Sequence, residues 1–240
     1  MNEKLASLKE QAKNFGINLT NGQLTKFEEF EKLLIDYNSH TNLVSAKDAN
    51  IIFEKHFIDS LSIGHFLKQN VSINIIDIGS GGGFPIIPMS IAYPDCTITA
   101  VDSTGKKVDF LNNSAKQLKL NNFKAIHSRA EELAHTKAYR EKFALTTARA
   151  VGNLAQISEL CLPFIKQNGK FIAYKAAKIN EEIELASNTI NILGGKLAEI
   201  FDYKLNLEEN YIRNLILIEK VSPTPIEYPR TYSNIKNKPL

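Results

Sequence analysis

With 240 residues, 43% hydrophobic and 23% charged content, the chain has the profile of a soluble globular protein with one sizeable core and room for a small appended unit. Its two cysteines, Cys96 and Cys161, stand far apart, so neither a disulfide framework nor a zinc cluster is expected, and a reducing, cytoplasmic setting is the default. No apolar run approaches membrane-spanning length, Glu3 interrupts any signal-like start, and a net charge of +3 permits a nucleic-acid partner without requiring one.

Residues 1–70 read as a helical unit. Leu5, Leu8 and Ala12 recur at helical spacing before a stop at Gly16. Thr25 to Asp36 places Phe27, Phe30, Leu33 and Leu34 on one stripe with charges opposite. The polar segment Asn38-Ser39-His40-Thr41-Asn42 breaks that pattern, and a further helix is expected from Ile51 to Leu67 with Phe53, Phe57, Leu61 and His65 among its contacts. From Ile73 strands and helices alternate. Strands are expected at Asn74–Ile78, Thr97–Asp102, Phe123–His127, Phe143–Ala148 and Gly169–Tyr174. The intervening helices are expected at Gly105–Leu120, Leu154–Ile165 and Ile179–Leu193, the last stopped by Gly194-Gly195, with a short helix or ordered loop at Ala130–Ala138. Two strand-like runs, Lys196–Leu205 and Tyr211–Val221, then form a hairpin. The fold class is therefore α/β: a mostly parallel, Rossmann-like sheet ending antiparallel, spanning 71–221, with an N-terminal helical extension and a basic, irregular tail over 222–240.

The stretch Asn74 to Pro85 carries the chemistry. An apolar β-branched strand runs into Gly79-Ser80-Gly81-Gly82-Gly83, and Pro85 suits the first turn of a helix. Such a turn lets backbone N–H groups approach a ligand closely. Phe84 stands where a pyrophosphate-binding fingerprint would have its third glycine, so the loop fits a nucleoside without a pyrophosphate. Asp102 ends the next strand, 23 positions beyond Gly79, near the spacing of an acid that hydrogen-bonds ribose hydroxyls. Its plainer role is to cap the following helix. Arg149 ends the fourth strand, where a guanidinium faces the ligand crevice.

Several strings follow one another in order: Asn42-Leu43-Val44-Ser45, His56-Phe57-Ile58-Asp59-Ser60, the Asp77 to Pro88 loop, Asp102-Ser103-Thr104-Gly105-Lys106-Lys107, Ala148-Arg149-Ala150, Tyr174-Lys175, Tyr228-Pro229-Arg230 and Lys238-Pro239-Leu240. Together they resemble the ribosomal RNA small subunit methyltransferase G family, also called glucose-inhibited division protein B, over nearly the whole chain. Ala176 departs from the glycine expected after Lys175. The resemblance implies a class I S-adenosylmethionine-dependent enzyme that methylates N7 of a guanine in 16S ribosomal RNA. It implies that Gly79, Gly81 and Phe84 contact the cofactor, that Asp102, Ser103 and Thr104 hold its ribose and adenosine end, and that Ala130 and Glu131 bound the adenine. Arg149 would bind cofactor and face substrate, while His56, Ser60 and Lys175 would be substrate-pocket residues. Asp59 is the candidate carboxylate for charge developing on the purine. The partner expected is 16S ribosomal RNA or the small ribosomal subunit, the protein a cytoplasmic monomer without a membrane partner. Lys106, Lys107, Lys116, Lys119, Arg230, Lys236 and Lys238 are candidates for phosphate contacts. Three rival readings stay open: a same-fold methyltransferase acting on a small molecule or protein, a nicotinamide-dependent oxidoreductase, and a non-catalytic RNA-binding module. The glycine spacing and the terminal hairpin weigh against the oxidoreductase.

Overall fold

The structure, a computed structural model, describes residues 3–38, 43–45, 51–176, 179–207 and 211–240. Helix α1 (Glu3–Asn14) buries Leu5, Leu8 and Ala12 and closes at Gly16, whose φ of 79° lets Gly16 and Ile17 donate back to Lys13 and Ala12 carbonyls. Helix α2 (Asn21–Asn38) buries Leu24, Phe27, Phe30 and Leu34, the expected stripe with one further turn before it and Leu33 only half-buried. Beyond it, Asn38 Oδ1 accepts the Leu43 and Val44 N–H groups at 2.8 and 3.0 Å. Residues 39–42, including Asn42 of the first family string, lie outside the described residues.

The helix expected over Ile51–Leu67 is wound three ways instead of one. A π-turn spans Ile52–Phe57, helix α3 covers Ile58–Leu61, and a 3₁₀ turn covers Ser62–His65. Burial on more than one side accounts for the departure: Phe53, His56, Phe57, Asp59, Ser60 and Leu61 are all buried, so packing rather than local propensity sets the winding. His65 falls outside this core. It stacks flat on Phe201 at 3.7 Å and meets Glu199 at 3.0 Å.

The strands and helices that follow alternate in the expected order: β1 (Asn74–Ile78), α4 (Ile86–Ala92), β2 (Thr97–Asp102), α5 (Gly105–Gln117), β3 (Phe123–His127), α6 (Ala130–Leu133), β4 (Phe143–Arg149), α7 (Leu154–Cys161), β5 (Ile165–Ala176), α8 (Asn180–Ile192), β6 (Gly195–Leu205) and β7 (Tyr211–Lys220). The helix expected to run to Ile165 stops at Cys161 instead, because Pro163 turns the chain through a 3₁₀ turn at Leu162–Phe164, and β5 begins at Ile165, four residues ahead of the expected Gly169. Pro85 stands just before α4, as its N-cap. The sheet runs β3-β2-β1-β4-β5-β7-β6. Pairings from β3 through β5 are parallel, and β7 joins β5 and β6 antiparallel. Helices cover both faces. Along β7, Leu215 and Leu217 enter one apolar cluster and Ile216 and Ile218 the other. The N-terminal helices join the first cluster, and Gln23 of α2 donates to the Ile91 carbonyl at the end of α4. The chain goes outward from β1 to β2 and β3, then returns to place β4 on the other side of β1. That switch point opens a crevice at the strands' carboxyl ends. Among the described residues no helix is long and apolar enough to cross a membrane.

The tail is not the irregular strap expected. It contains helix α9 (Tyr232–Asn237), anchored because Ile235, the one large aliphatic residue of that helix, is 1% exposed in the second cluster. Arg230 makes a two-armed pair with buried Glu159, at 2.8 Å from Nε and 2.6 Å from Nη2, so it faces a carboxylate of the fold rather than open solvent.

Phe30 joins the N-terminal unit to the sheet: its buried ring lies 5.8, 5.7 and 6.4 Å from the rings of Phe57, Phe84 and Phe110. Phe30→Ala should cost about 3–5 kcal/mol of unfolding free energy. Urea titration checks this, and a loss under about 1 kcal/mol would mean that the N-terminal unit is not packed as described.

Candidate active site at the switch point

Three strand ends build the site. The Gly79 and Ser80 N–H groups both donate to the Val101 carbonyl of β2, at 2.8 and 3.1 Å, which folds the glycine loop back over the sheet. Asp102 then fastens it: Oδ2 accepts the Gly81 N–H and Oδ1 the Thr104 N–H, each at 2.9 Å. Thr104 is the N-cap of α5, so Asp102 joins the loop to the start of that helix from two positions further out. Gly79 has a φ of 74°, and a Cβ there would lie 2.6 Å from Val151. Only glycine fits beneath that side chain. Gly83 is glycine for packing: a Cβ would come within 2.8 Å of Ile87 and 3.1 Å of Phe30.

Two clefts flank Gly79. The smaller, about 120 Å³, is lined by Gly79, Asp102, Ser103, Ala130, Glu131 and, from the tail, Tyr232. The larger, about 270 Å³, is lined by His56, Gly79, Gly81, Phe84, Lys107 and Arg149, with Leu43 to Ser45 at its side. Ala130 and Glu131 reach the smaller cleft from the first turn of α6.

Arg149 is the centre of the larger cleft. Its Nε meets Asp59 Oδ2 at 3.0 Å, and its Nη2 donates to His56 Nδ1 at 2.6 Å. An arginine can only donate, so this contact places the His56 proton on Nε2 in the neutral ring. The guanidinium lies 5.6 Å from the Phe84 ring centroid, and the His56 ring stacks on Phe84 at 4.7 Å. Arg149 Nη1 is buried without a hydrogen-bond partner among the described residues. Asp59 is wholly buried and holds a second arginine, Arg213 of β7, at 2.9 Å, and accepts the Tyr203 hydroxyl at 2.6 Å. Burial alone would raise the Asp59 carboxyl; the charges of Arg149 and Arg213 outweigh it and leave it below the usual carboxylate range.

The expected site residues are thus not all gathered together. Gly79, Gly81, Phe84, Asp102, Ser103, Ala130, Glu131, Arg149 and His56 line one cleft or the other. Asp59 sits behind Arg149, and Thr104 contributes its backbone to Asp102. Ser60 lies deeper, donating to the His56 carbonyl at 2.6 Å. Lys175 is tied to Glu182 at 2.5 Å and to the Gly152 carbonyl, away from both clefts. Sequence reasoning missed Arg213 and Tyr203, which become neighbours only through the β6–β7 register. It also missed Arg129 and Tyr232, which share the smaller cleft from remote parts of the chain.

Asp77, on β1 behind the loop, accepts the Thr147 hydroxyl at 2.6 Å, and its other oxygen has no partner among the described residues. Burial raises its pKa from 3.8 to about 7. A carboxyl raised on folding favours the folded state below its unfolded pKa, and that contribution is lost as pH climbs through the folded value. Asp77→Asn should therefore gain denaturation stability relative to wild type as pH rises from about 4 to about 7. A difference constant across that window would contradict the assignment.

A family model described as rRNA small subunit methyltransferase G matches residues 23–212. The ribosomal RNA small subunit methyltransferase G of Lachnoclostridium phytofermentans is 41% identical over 95% of this chain and 94% of its own length. That of Staphylococcus aureus is 40% identical over 97% of each. Among solved structures, M. jannaschii TYW2 in complex with AdoMet matches 63% of this chain and 69% of its own at 17% identity and a TM-score of 0.48, too loose a likeness to carry function. Identity at this level, spread over nearly the full length of its relatives, places the chain in the rRNA small subunit methyltransferase G family.

Proposed function

We propose that this protein transfers the methyl group of S-adenosylmethionine to N7 of a guanine in the 16S ribosomal RNA of the small subunit, as a cytoplasmic monomer. The observation that carries the reading is Arg149: a buried guanidinium with one N–H₂ arm unpartnered among the described residues, on the wall of a cleft that adjoins the glycine loop.

The residues fit the cofactor. Gly79 leaves backbone exposed between the two clefts, where a Cβ would collide with Val151. Asp102 keeps lone pairs beyond its two N–H contacts for ribose hydroxyls, and Ala130 and Glu131 would bound the adenine. The free arm of Arg149 suits the carboxylate of the amino-acid end. Bound there, S-adenosylmethionine supplies an electrophilic methyl group on a positively charged sulfur.

Guanine N7 carries a lone pair and needs no deprotonation, so the chain's work is placement. Positioning alone supplies roughly 7–11 kcal/mol of barrier lowering. The rings of Phe84 and His56, stacked on each other, give the larger cleft part of its lining as apolar surface. Asp59 has its oxygens on Arg149, Arg213 and Tyr203, so we assign it to holding Arg149 rather than to facing the purine. Ser60 and Lys175 we assign to supporting the backbone around His56 and Gly152.

Of the basic residues, Lys107 lines the larger cleft and Lys106 adjoins it, both in the first turn of α5. Lys116 lies in the last turn of that helix and Lys119 just beyond its end, and Arg230 faces Glu159. The RNA is therefore expected to approach over the α5 start. Sequence-specific contacts favour an unstacked base in a loop.

The test is to incubate the protein with methyl-labelled S-adenosylmethionine and small-subunit RNA or particles, then map the modified base. Label on one guanine, with the strand scission that N7 methylation permits, is expected; label only in protein or a small molecule would favour the rival methyltransferase. In the same assay Asp59→Asn should lower turnover about 10²-fold, the scale of a misplaced catalytic group. Unchanged turnover would remove Asp59 from the mechanism.

A further inference from the structure

We propose that Tyr232 of the C-terminal tail is a cofactor-binding residue, forming the outer wall of the adenosine end of the site; this rests on the reading of the smaller cleft as the nucleoside pocket. Tyr232 lines that cleft together with Asp102, Ser103, Ala130 and Glu131 although it is far from all of them in sequence. Its ring lies against the Arg129 guanidinium, 5.5 Å from carbon to centroid, and remains 40% exposed. A ring so exposed contributes little to the core. Its neighbour Ile235, at 1% exposure, is the anchor of that helix.

The tail reaches this place on fixed supports. Arg140 donates to the Tyr228 carbonyl at 2.8 Å from Nη1, and to the Thr224 and Pro225 carbonyls at 2.8 and 2.9 Å from Nη2. Arg230 grips Glu159, and the Thr189 hydroxyl donates to the Leu240 carbonyl at 2.7 Å. These groups hold both flanks of α9, so Tyr232 is presented rather than left to wander. Every purine has a π-face, and an aromatic ring at the mouth of a nucleoside cleft offers it a stacking surface. Arg129, which lines the same cleft, steadies the ring through its cation–π contact.

The experiment is calorimetric titration of full-length wild type, Tyr232→Ala and Tyr232→Phe with S-adenosylhomocysteine and with adenosine, alongside ligand-free melting curves. Tyr232→Ala should weaken both ligands by about tenfold, the scale of one base–aromatic stack, with an unchanged ligand-free melting temperature. Tyr232→Phe, which keeps the ring, should bind within about twofold of wild type. Wild-type affinity in Tyr232→Ala overturns the proposal and leaves the cofactor reading standing. A loss matched by a lower ligand-free melting temperature also overturns it, since the ring would then only secure the tail. If wild type takes up neither ligand, the cofactor reading fails and the proposal falls with it.

Discussion

A fully buried carboxylate must be neutralised or protonated, and in this protein Asp59 is neutralised by two arginines and a tyrosine. The four groups come from four places: Asp59 from α3, Arg149 from the end of β4, and Tyr203 and Arg213 from the two strands of the terminal hairpin. Removing any one would leave an uncompensated charge or donor in an apolar setting, which is far costlier than the net value of the pair. The cluster therefore fixes how the helical extension, the parallel sheet and the hairpin sit against one another. It also holds Arg149 through Nε, in the wall of the cleft that the glycine loop shares, while Nη1 keeps no hydrogen-bond partner among the described residues.

The rest of the architecture serves that crevice. Reversal of strand order between β1 and β4 opens it, and the positive φ at Gly79 brings backbone to its floor. Phe84 serves two ends at once, facing the cleft beside Arg149 and packing inward on Phe30 and Phe57. Stability and site are thus coupled through one ring. The terminal hairpin, which forms one end of the sheet, contributes through Asp59 to the placement of Arg149, two strands from β7 and three from β6.

Much of this was legible in the sequence because the signals were local. The bounds of β1, β2 and β3 follow from short β-branched runs between glycine or polar breaks, and the hairpin from two such runs around a polar turn. The glycine loop and Asp102 were readable for the same reason, since strand, turn and acid lie within one βαβ unit. What stayed hidden depended on partners remote in sequence. The π-turn at Ile52–Phe57 answers to burial on several sides, which periodicity cannot express. Arg213 and Tyr203 look like ordinary polar residues on strands until register pairs them above Asp59. The basic character of the tail suggested solvent or phosphate, whereas Ile235 and the buried Glu159 draw it onto the fold.

The central claim is that Arg149, pinned by Asp59, offers its free arm to the amino-acid end of an adenosyl ligand. The most direct measurement is a crystal structure of the protein soaked with S-adenosylhomocysteine. The account predicts the nucleoside beside Asp102 and Glu131, with the ligand carboxylate on Arg149 Nη1 and the contact between Asp59 and Arg149 intact. A ligand seated elsewhere, or one whose carboxylate leaves Arg149 Nη1 unpaired, would contradict it.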